Sequence, residues 1–183
     1  MTAFALEPHQ RATASSQQSG VEGLGFSDES NINDMYLTFG LADEEYGICI
    51  SYVTEIVGMQ RIMAVPDVPR FIKGVINLRG KIIPVMDVRA RFRMLETEYT
   101  ERTVIIVLDM QTLPIGLIVD NVNEVLEIPP TSIDPAPAFE NGCTNEGLLR
   151  GLGKSGERVA ILLDLERMVA ADLEEIKKRR SKQ

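Results

Sequence analysis

An internal repeat limits the folds open to this chain, because the same succession of elements must occur twice. Residues 47–57 align with residues 116–126 at an offset of 69, with a Gly, a Val and a Glu coinciding and nearly every apolar position staying apolar. Residues 74–88 align with residues 151–165 at an offset of 77, and their first glycines coincide. Two collinear matches with a small change of offset predict a duplicated subdomain. Each copy is expected to form a small barrel, and the two barrels to pack together, because neither buries much surface alone.

The residue types and their spacing predict an all-β fold. The chain has no Trp, six Phe and four Tyr among 183 residues, so its core must consist mostly of Val, Ile and Leu, a composition that favours strands. Apolar runs recur about every 8–12 residues with turn residues between them, as in small barrels and sandwiches. The predicted strands are 35–41, 46–50, 53–57, 74–78, 81–86, 103–108, 115–119, 124–128 and 159–163.

Three aspartates mark the few helices that the sequence predicts. Asp87 is expected to cap a short helix that runs through Arg93, and Asp164 one that runs through Ala170, because each precedes a run without strand character. Asp172 is expected to cap a C-terminal helix that ends in the four basic residues 177–180, where cations favour the negative end of the helix dipole.

The composition also divides the chain into three parts. Residues 1–33 are polar and aperiodic, so we expect a disordered N-terminal tail. Residues 34–171 are expected to form the folded domain of two barrel subdomains, and residues 172–183 the basic C-terminal helix.

Most kinds of active site lack their residues here. His9, in the tail, is the only histidine, so the folded part cannot build a Ser-His-Asp or Cys-His centre. Cys49 and Cys143 are the only cysteines and match no zinc or disulfide pattern; Cys49 is interpreted as a small buried hydrophobe. The glycine-rich segment 151–156 matches no phosphate-binding motif and is interpreted as a loop. We therefore expect no enzyme activity, no metal and no cofactor, although a carboxylate hydrolase without a motif stays open.

Charge and hydropathy point to a cytoplasmic protein with protein partners. A net charge of −8 and a pI of about 4.8 disfavour nucleic acid as the main partner. No run of 18 apolar residues and no secretory signal are present, and two cysteines suit a reducing compartment. Residues 61–102 nevertheless hold nine of the nineteen Lys and Arg, which predicts a mildly basic face for an acidic protein partner, or simply a solvated face.

The segment 71–89 has an unusual pattern. A polar turn, Asn77 to Gly80, separates two very apolar strands, and Gly80 permits a positive φ there. Pro84 inside a strand requires an edge position or a bulge. Arg79 is expected to project from this stiff hairpin toward a partner or a neighbouring acid such as Glu55.

With this hairpin, the sequence resembles the CheW family of bacterial chemotaxis adaptors. The resemblance covers roughly residues 35–171 and leaves out the tail and the basic C-terminus. The matching segments are Glu45-Tyr46-Gly47-Ile48, Val53-x-Glu55-Ile56, Pro66-x-x-Pro69, 72–89, 104–108, Gly116-Leu117-Ile118-Val119-Asp120-x-Val122 and Gly151-Leu152-Gly153.

The resemblance implies two five-stranded SH3-like barrels and a scaffold rather than an enzyme. It implies a cytoplasmic adaptor, located at membrane-associated receptor arrays, that couples methyl-accepting chemoreceptors to the histidine kinase CheA. The kinase's regulatory domain would pair with the chain barrel to barrel, and the receptor's helical cytoplasmic tip would dock between the barrels. Positions linked to that receptor-binding groove are Ile50, Val53, Glu55, Gly74, Arg79, Val104 and Val122; the resemblance names no kinase-binding residue.

Two alternatives stay open at this point. The first is the same adaptor role in a related chemosensory system that controls pilus or gliding motility, which these motifs do not separate. The second is a β-barrel that binds nucleic acid, which would require a basic groove with stacking aromatic residues.

Overall fold

The computed structural model describes residues 32–110, 113–135 and 147–170. Nearly all of the predicted tail 1–33 and the whole predicted helix 172–183 lie outside these residues. The strands are β1 (Met35–Leu41), β2 (Glu44–Cys49), β3 (Val53–Gly58), β4 (Ile72–Leu78), β5 (Lys81–Asp87), β6 (Val104–Asp109), β7 (Pro114–Val119), β8 (Asn121–Glu127), β9 (Ile133–Asp134), β10 (Leu149–Ser155) and β11 (Arg158–Leu163). The helix α1 (Val88–Arg91) and two 3₁₀ turns, Ile50–Tyr52 and Pro130–Ser132, complete the named elements, and residues 165–170 are helical.

The strands form two sheets of the same design, as the all-β prediction requires. The first subdomain is the sheet β3-β6-β7-β5-β4, and the second is the sheet β8-β1-β2-β11-β10 with the two-residue β9 at its edge. In each sheet a pair of antiparallel hairpins is joined by one parallel contact, β5 with β7 and β11 with β2. Two sheets of five main strands fit the predicted pair of SH3-like subdomains.

The prediction that each copy of the repeat forms its own barrel is wrong. The repeat relates β1, β2, β3, β4 and β5 to β6, β7, β8, β10 and β11, and this mapping converts one sheet order into the other. Each sheet therefore combines a hairpin from one copy with three strands from the other copy. The exchange places both copies in both subdomains, so that neither subdomain is a contiguous stretch of chain.

One of the two glycine positions that coincide in the repeat, Gly47 and Gly116, lies where the two parallel strands meet. Gly47 pairs with Leu162, and Gly116 pairs with Val85, which are equivalent contacts in the two sheets. A Cβ on Gly47 would lie 2.8 Å from the Leu162 side chain, and a Cβ on Gly116 would lie 2.7 Å from Ile105. A larger residue at this position would crowd the side chains of the neighbouring strands in both sheets.

The glycine-rich segment 151–156 is mostly a strand, so its interpretation as a loop is wrong. It forms β10 up to Ser155, and β10 pairs with β11 on one side and β9 on the other. A Cβ on Gly151 would lie 2.4 Å from the Asp134 carbonyl oxygen, and one on Gly153 would lie 2.9 Å from Ile128. These glycines thus permit close packing within a sheet, which composition alone does not distinguish from loop flexibility.

The predicted aspartate caps are confirmed at both equivalent positions. The Asp87 carboxylate accepts a hydrogen bond of 3.1 Å from the Ala90 amide, and Asp164 accepts one of 3.0 Å from the Arg167 amide. The helix after Asp87 ends at Arg91 rather than Arg93, because Arg93 takes a positive φ of 58° that reverses the chain.

Buried side chains form three clusters, one within each sheet and a larger one between the sheets. Ile83 and Val85 belong to the cluster of the first subdomain, and their repeat equivalents Ala160 and Leu162 belong to that of the second. Cys49 is buried in the cluster of the second subdomain, which agrees with its interpretation as a small hydrophobe. The central cluster takes residues from both sheets, including Phe39, Ile48, Leu108, Leu117 and Met86, and therefore holds the two subdomains together.

Candidate functional site

Arg79 and Glu55 form an ion pair on the first subdomain. Arg79 and Gly80 are the two central residues of the β4–β5 turn, with φ values of 51° and 85°, as in a type I′ hairpin turn. The Asn77 carboxamide oxygen accepts a hydrogen bond of 2.9 Å from the Gly80 amide and stiffens this turn. Arg79 Nη2 lies 2.8 Å from Glu55 Oε2, and Nη1 lies 3.3 Å from Oε1, so the contact is bidentate.

The second subdomain carries a similar ion pair. Glu124 is the repeat equivalent of Glu55, and its carboxylate pairs with Arg158, which follows the β10–β11 turn. Arg158 also pairs with Glu45 on β2. In both sheets a glutamate on an edge strand thus contacts an arginine of a hairpin, although Arg79 lies in its turn and Arg158, the repeat equivalent of Lys81, follows its turn. Because β3 and β4 lie at opposite edges of their sheet, the contact between Arg79 and Glu55 requires that sheet to curl.

Four of the predicted apolar site residues border the core between the subdomains. Ile50, Val53, Val104 and Val122 are all half-buried and pack against the central cluster; we call these four residues the seam. Val53 pairs with Leu108 at one end of β6, whereas Val104 lies at the other end, about four residues or 13 Å away. The seam is therefore an extended line of partly exposed apolar side chains, and not one compact pocket.

Gly74 differs from the other predicted site residues because it is buried. Its φ is 142°, and a Cβ there would lie 2.1 Å from the Met63 carbonyl oxygen. Met63 and Val75 exchange backbone hydrogen bonds of 2.8 and 2.9 Å across this point. Gly74 therefore shapes β4 and the hairpin that follows it, and does not itself present a surface to a partner.

Tyr52 connects the seam to the helical segment 165–170. Its hydroxyl donates a hydrogen bond of 2.7 Å to Glu166, and this bond, together with partial burial, raises the pKa of Tyr52 to about 12. Tyr52 and Val169 both pack against the central cluster. The helical segment thus flanks the part of the seam formed by Ile50 and Val53, a neighbour that the sequence did not indicate.

Arg89 and Asp120 form a second bidentate pair, which joins three parts of the chain. Arg89 Nε donates a hydrogen bond of 2.7 Å to Asp120, and Nη2 donates another. The Ala42 amide donates a further hydrogen bond of 2.8 Å to the same carboxylate. Partial burial acts to raise the pKa of Asp120, but these hydrogen bonds and the guanidinium charge outweigh it, so the pKa lies below its usual value. The pair ties α1 to the β1–β2 turn and to the start of β8.

The outer face of the β4–β5 hairpin is apolar, which sequence reasoning missed. Cross-strand partners share a face, so Ile82 lies beside Asn77, and Pro84 beside Val75 and the bridged Met63. Ile82 is 54% exposed and Met63 is 45% exposed. We call Met63, Val75, Ile82 and Pro84 the hairpin face. The sequence does contain a signal for this face, because both strands have apolar residues at successive positions. Ile76 and Ile83 turn inward to the core, so their neighbours Val75 and Ile82 must face outward.

Two kinds of site do not occur in the described part of the chain. None of its His, Cys, Asp and Glu side chains form a group of three or more that could hold a metal ion. None of its helices is long and apolar enough to cross a membrane.

Comparison with known proteins agrees with this geometry. The CheW-like domain family matches residues 35–173, which is most of the chain. The chain belongs to the CheW-like family. It is 41% identical over 141 residues to chemotaxis protein CheW of Klebsiella aerogenes, covering 77% of this chain and 84% of that protein. It is 31% identical over 137 residues to chemotaxis protein CheW of Helicobacter pylori, covering 75% of this chain and 82% of that protein.

A solved structure has the same architecture. The crystal structure of the scaffolding protein TtCheW from Thermoanaerobacter tengcongensis superposes with a TM-score of 0.66 at 36% identity. The match covers 72% of this chain and 89% of that one. The CheW-like assignment therefore applies to both subdomains, and the family resemblance that the hairpin motif indicated is confirmed.

Proposed function

We propose that this CheW-like chain is a non-enzymatic adaptor that couples chemoreceptors to a CheA-type histidine kinase. The observation that carries the proposal is the seam with its adjoining Arg79–Glu55 pair, on a chain of this family. The seam residues Ile50, Val53, Val104 and Val122 offer apolar contacts at partly exposed positions. A helical receptor tip binds through a few such anchors, and directed polar groups beside them fix its register.

The kinase requires a second surface, and the hairpin face suits it. Ile82 and Met63 are large apolar side chains that stay about half exposed on the outside of the first subdomain. Apolar faces of this kind mark protein contacts when they are contiguous. We assign the hairpin face to the regulatory domain of the kinase, whose related barrel would pack against it. With the receptor on the seam, the adaptor acts in the cytoplasm at membrane-associated arrays.

Kinase activation in a reconstituted system tests this proposal. Receptor signalling fragments on vesicles are mixed with the cognate kinase, with or without the adaptor, and phosphate transfer from labelled ATP is measured. We expect kinase activity to rise several-fold only when receptor, kinase and adaptor are all present. The Ile82→Asp variant should lose kinase binding but keep receptor binding, and Val53→Asp should do the reverse. Equal activity with and without the adaptor would contradict the proposal.

A further inference from the structure

A cleft of about 610 Å³ opens beside α1 and shares no lining residue with the seam or the hairpin face. Its walls are residues 69–71, which precede β4, and residues 90, 91 and 93–96 at the end of α1 and in the turn after it. The Met94 amide donates a hydrogen bond of 2.9 Å to the Arg89 carbonyl, and the positive φ of Arg93 closes this turn. The cleft therefore has fixed backbone walls of a size that admits a short peptide segment.

The floor of the cleft is apolar. Phe71 is 8% exposed, and Met94 packs against the central cluster. Leu95, which follows Met94, is 86% exposed, the largest exposed fraction among the large apolar side chains of the described residues. An exposed leucine beside a buried phenylalanine makes a place where an apolar side chain of a partner would be removed from water.

The rim of the cleft is basic, although the whole chain carries a net charge of −8. Arg70, Arg91 and Arg93 line it, and Glu96 is the one acidic residue among the lining residues. The Arg91 guanidinium lies 5.1 Å from the centre of the Phe71 ring. Arginine binds carboxylates through paired hydrogen bonds, so Arg70 and Arg93 beside an apolar floor fit an acidic segment that carries an apolar residue.

Glu96 shows where a partner's carboxylate would bind. Arg70 Nε lies 3.1 Å from its Oε1, and Lys73 Nζ lies 3.5 Å from the same atom. Arg70 and Glu96 are both exposed, with 85% and 45% of their side chains accessible, so this contact exchanges easily with solvent or with another carboxylate. In the free protein Glu96 occupies one of the anion positions of the cleft.

We propose that this cleft binds a short acidic peptide segment of a partner protein, with an apolar side chain held over Phe71, Met94 and Leu95 and with carboxylates held by Arg70 and Arg93. The segment competes with Glu96 for Arg70. This docking site is additional to the receptor and kinase surfaces proposed above, and it does not depend on them.

Titration of the full chain with defined peptides tests this inference. The probe is a fluorescein-labelled twelve-residue peptide of aspartates and glutamates with two central leucines, followed by anisotropy and by amide chemical shifts of the labelled protein. Two control peptides replace the acids with their amides or the leucines with glycines. A twelve-nucleotide oligothymidylate tests for general polyanion binding. We expect saturable binding of the probe with a Kd below about 1 mM and shifts centred on residues 70, 71 and 93–96.

Matched variants separate the cleft from the overall charge. The double variant Arg70→Gln with Arg93→Gln should raise the Kd of the probe at least about tenfold. The control Arg61→Gln with Arg102→Gln removes the same charge outside the cleft and should change Kd less than about twofold. Glu96→Gln should tighten binding, since the internal competitor is removed. The inference is overturned if the probe does not saturate at millimolar concentration or if the shifts lie elsewhere. It is equally overturned if the leucine-free peptide or the oligothymidylate binds as tightly.

Discussion

Arg79 Nη2 lies 2.8 Å from Glu55 Oε2, and this contact joins the tip of one edge hairpin to the strand at the opposite edge of the same sheet. The second subdomain has a similar contact between Arg158 and Glu124, although Arg158 is the repeat equivalent of Lys81. The ion pair is therefore, before any binding role, a structural contact that the curl of each sheet makes possible. A role in binding a partner is an additional property, and it can be tested because the second pair serves as an internal control.

The first prediction concerns Arg79. Its side chain is 77% exposed, so Arg79→Ala and Arg79→His should lower the melting temperature by no more than a few degrees, since exposed pairs contribute about 0–1 kcal/mol. Both variants should nevertheless reduce kinase activation in the reconstituted receptor–kinase assay, because the guanidinium borders the proposed receptor surface. Combination with Glu55→Ala should be less than additive, since both changes break one interaction.

Arg158→Ala is the matched control for Arg79. It removes the pairs with Glu124 and Glu45 from the second subdomain and should leave kinase activation close to that of the unaltered chain. Equal losses for the two variants would show that the pair only maintains the fold. Strictly additive losses of Arg79→Ala and Glu55→Ala would refute their coupling.

The second prediction concerns the seam. Val53 packs against the central cluster but stays partly exposed, so Val53→Ala should weaken receptor binding by about 1–2 kcal/mol, or roughly 5- to 30-fold in Kd. Val53→Asp should weaken it further. Calorimetric titration with a receptor signalling fragment measures the effect, and circular dichroism verifies the fold. The control variant Val159→Asp, at a valine that is 50% exposed on β11, should bind the receptor fragment normally. Unchanged affinity of both Val53 variants would show that the receptor binds at another surface.

The third prediction separates Gly74 from the binding residues. Gly74→Ala places a Cβ 2.1 Å from the Met63 carbonyl at a φ of 142°, so we expect a loss of at least about 2 kcal/mol in the free energy of unfolding. Gly58→Ala, where no atom lies within 4 Å of the added Cβ, should change stability by less than about 0.5 kcal/mol. Urea unfolding at neutral pH measures both. A Gly74→Ala variant of full stability that fails only in receptor binding would contradict this assignment.

The fourth prediction concerns the pH dependence of stability. The pKa of Asp120 is lower in the folded chain than its ordinary value of 3.8, so its contribution is fully present above that value and is lost as the pH falls through the folded pKa. The side chain of Arg89, its partner, is 15% exposed and that of Asp120 is 28% exposed. Asp120→Asn should therefore lower the free energy of unfolding by about 2 kcal/mol at pH 7. The variant should also lose less stability than the unaltered chain between pH 5 and about pH 3. Glu101→Gln serves as the exposed control, and parallel curves for the unaltered chain and Asp120→Asn would contradict the prediction.

The fifth prediction concerns the tail. Residues 1–33 are polar and aperiodic, so their removal should leave the melting temperature nearly unchanged. A decrease of more than about 5 °C in a calorimetric scan would show that the tail packs on the domain.

Sequence patterns predicted nine of the eleven strands, because these strands are short and apolar and the turns carry recognisable residues; β9 and the glycine-rich β10 were missed. Both aspartate caps were also predicted, since Asp87 and Asp164 each precede a run without strand character. What the repeat could not predict is which strands pair. The exchange of hairpins between copies depends on contacts such as Gly47 with Leu162, which are 115 positions apart and leave no local signal.

The candidate site was predictable in part. The hairpin motif placed Arg79 on a turn with positive φ, and the contact with Glu55 follows from the curl of the sheet. The role of Gly74 and the neighbouring Tyr52–Glu166 hydrogen bond were not predictable, because both depend on segments that meet only in the folded chain. The cleft beside α1 was indicated only by the basic composition of residues 61–102, which does not show that three arginines surround an apolar floor.

Simultaneous binding of both proposed partners tests the central claim most directly. Sedimentation velocity is measured on the full chain with a receptor signalling fragment, with the isolated regulatory domain of the kinase, and with both. An adaptor with separate surfaces predicts a ternary species, and saturation with one partner should leave the affinity for the other undiminished. Mutual displacement of the two partners, or binding to neither, would contradict the account.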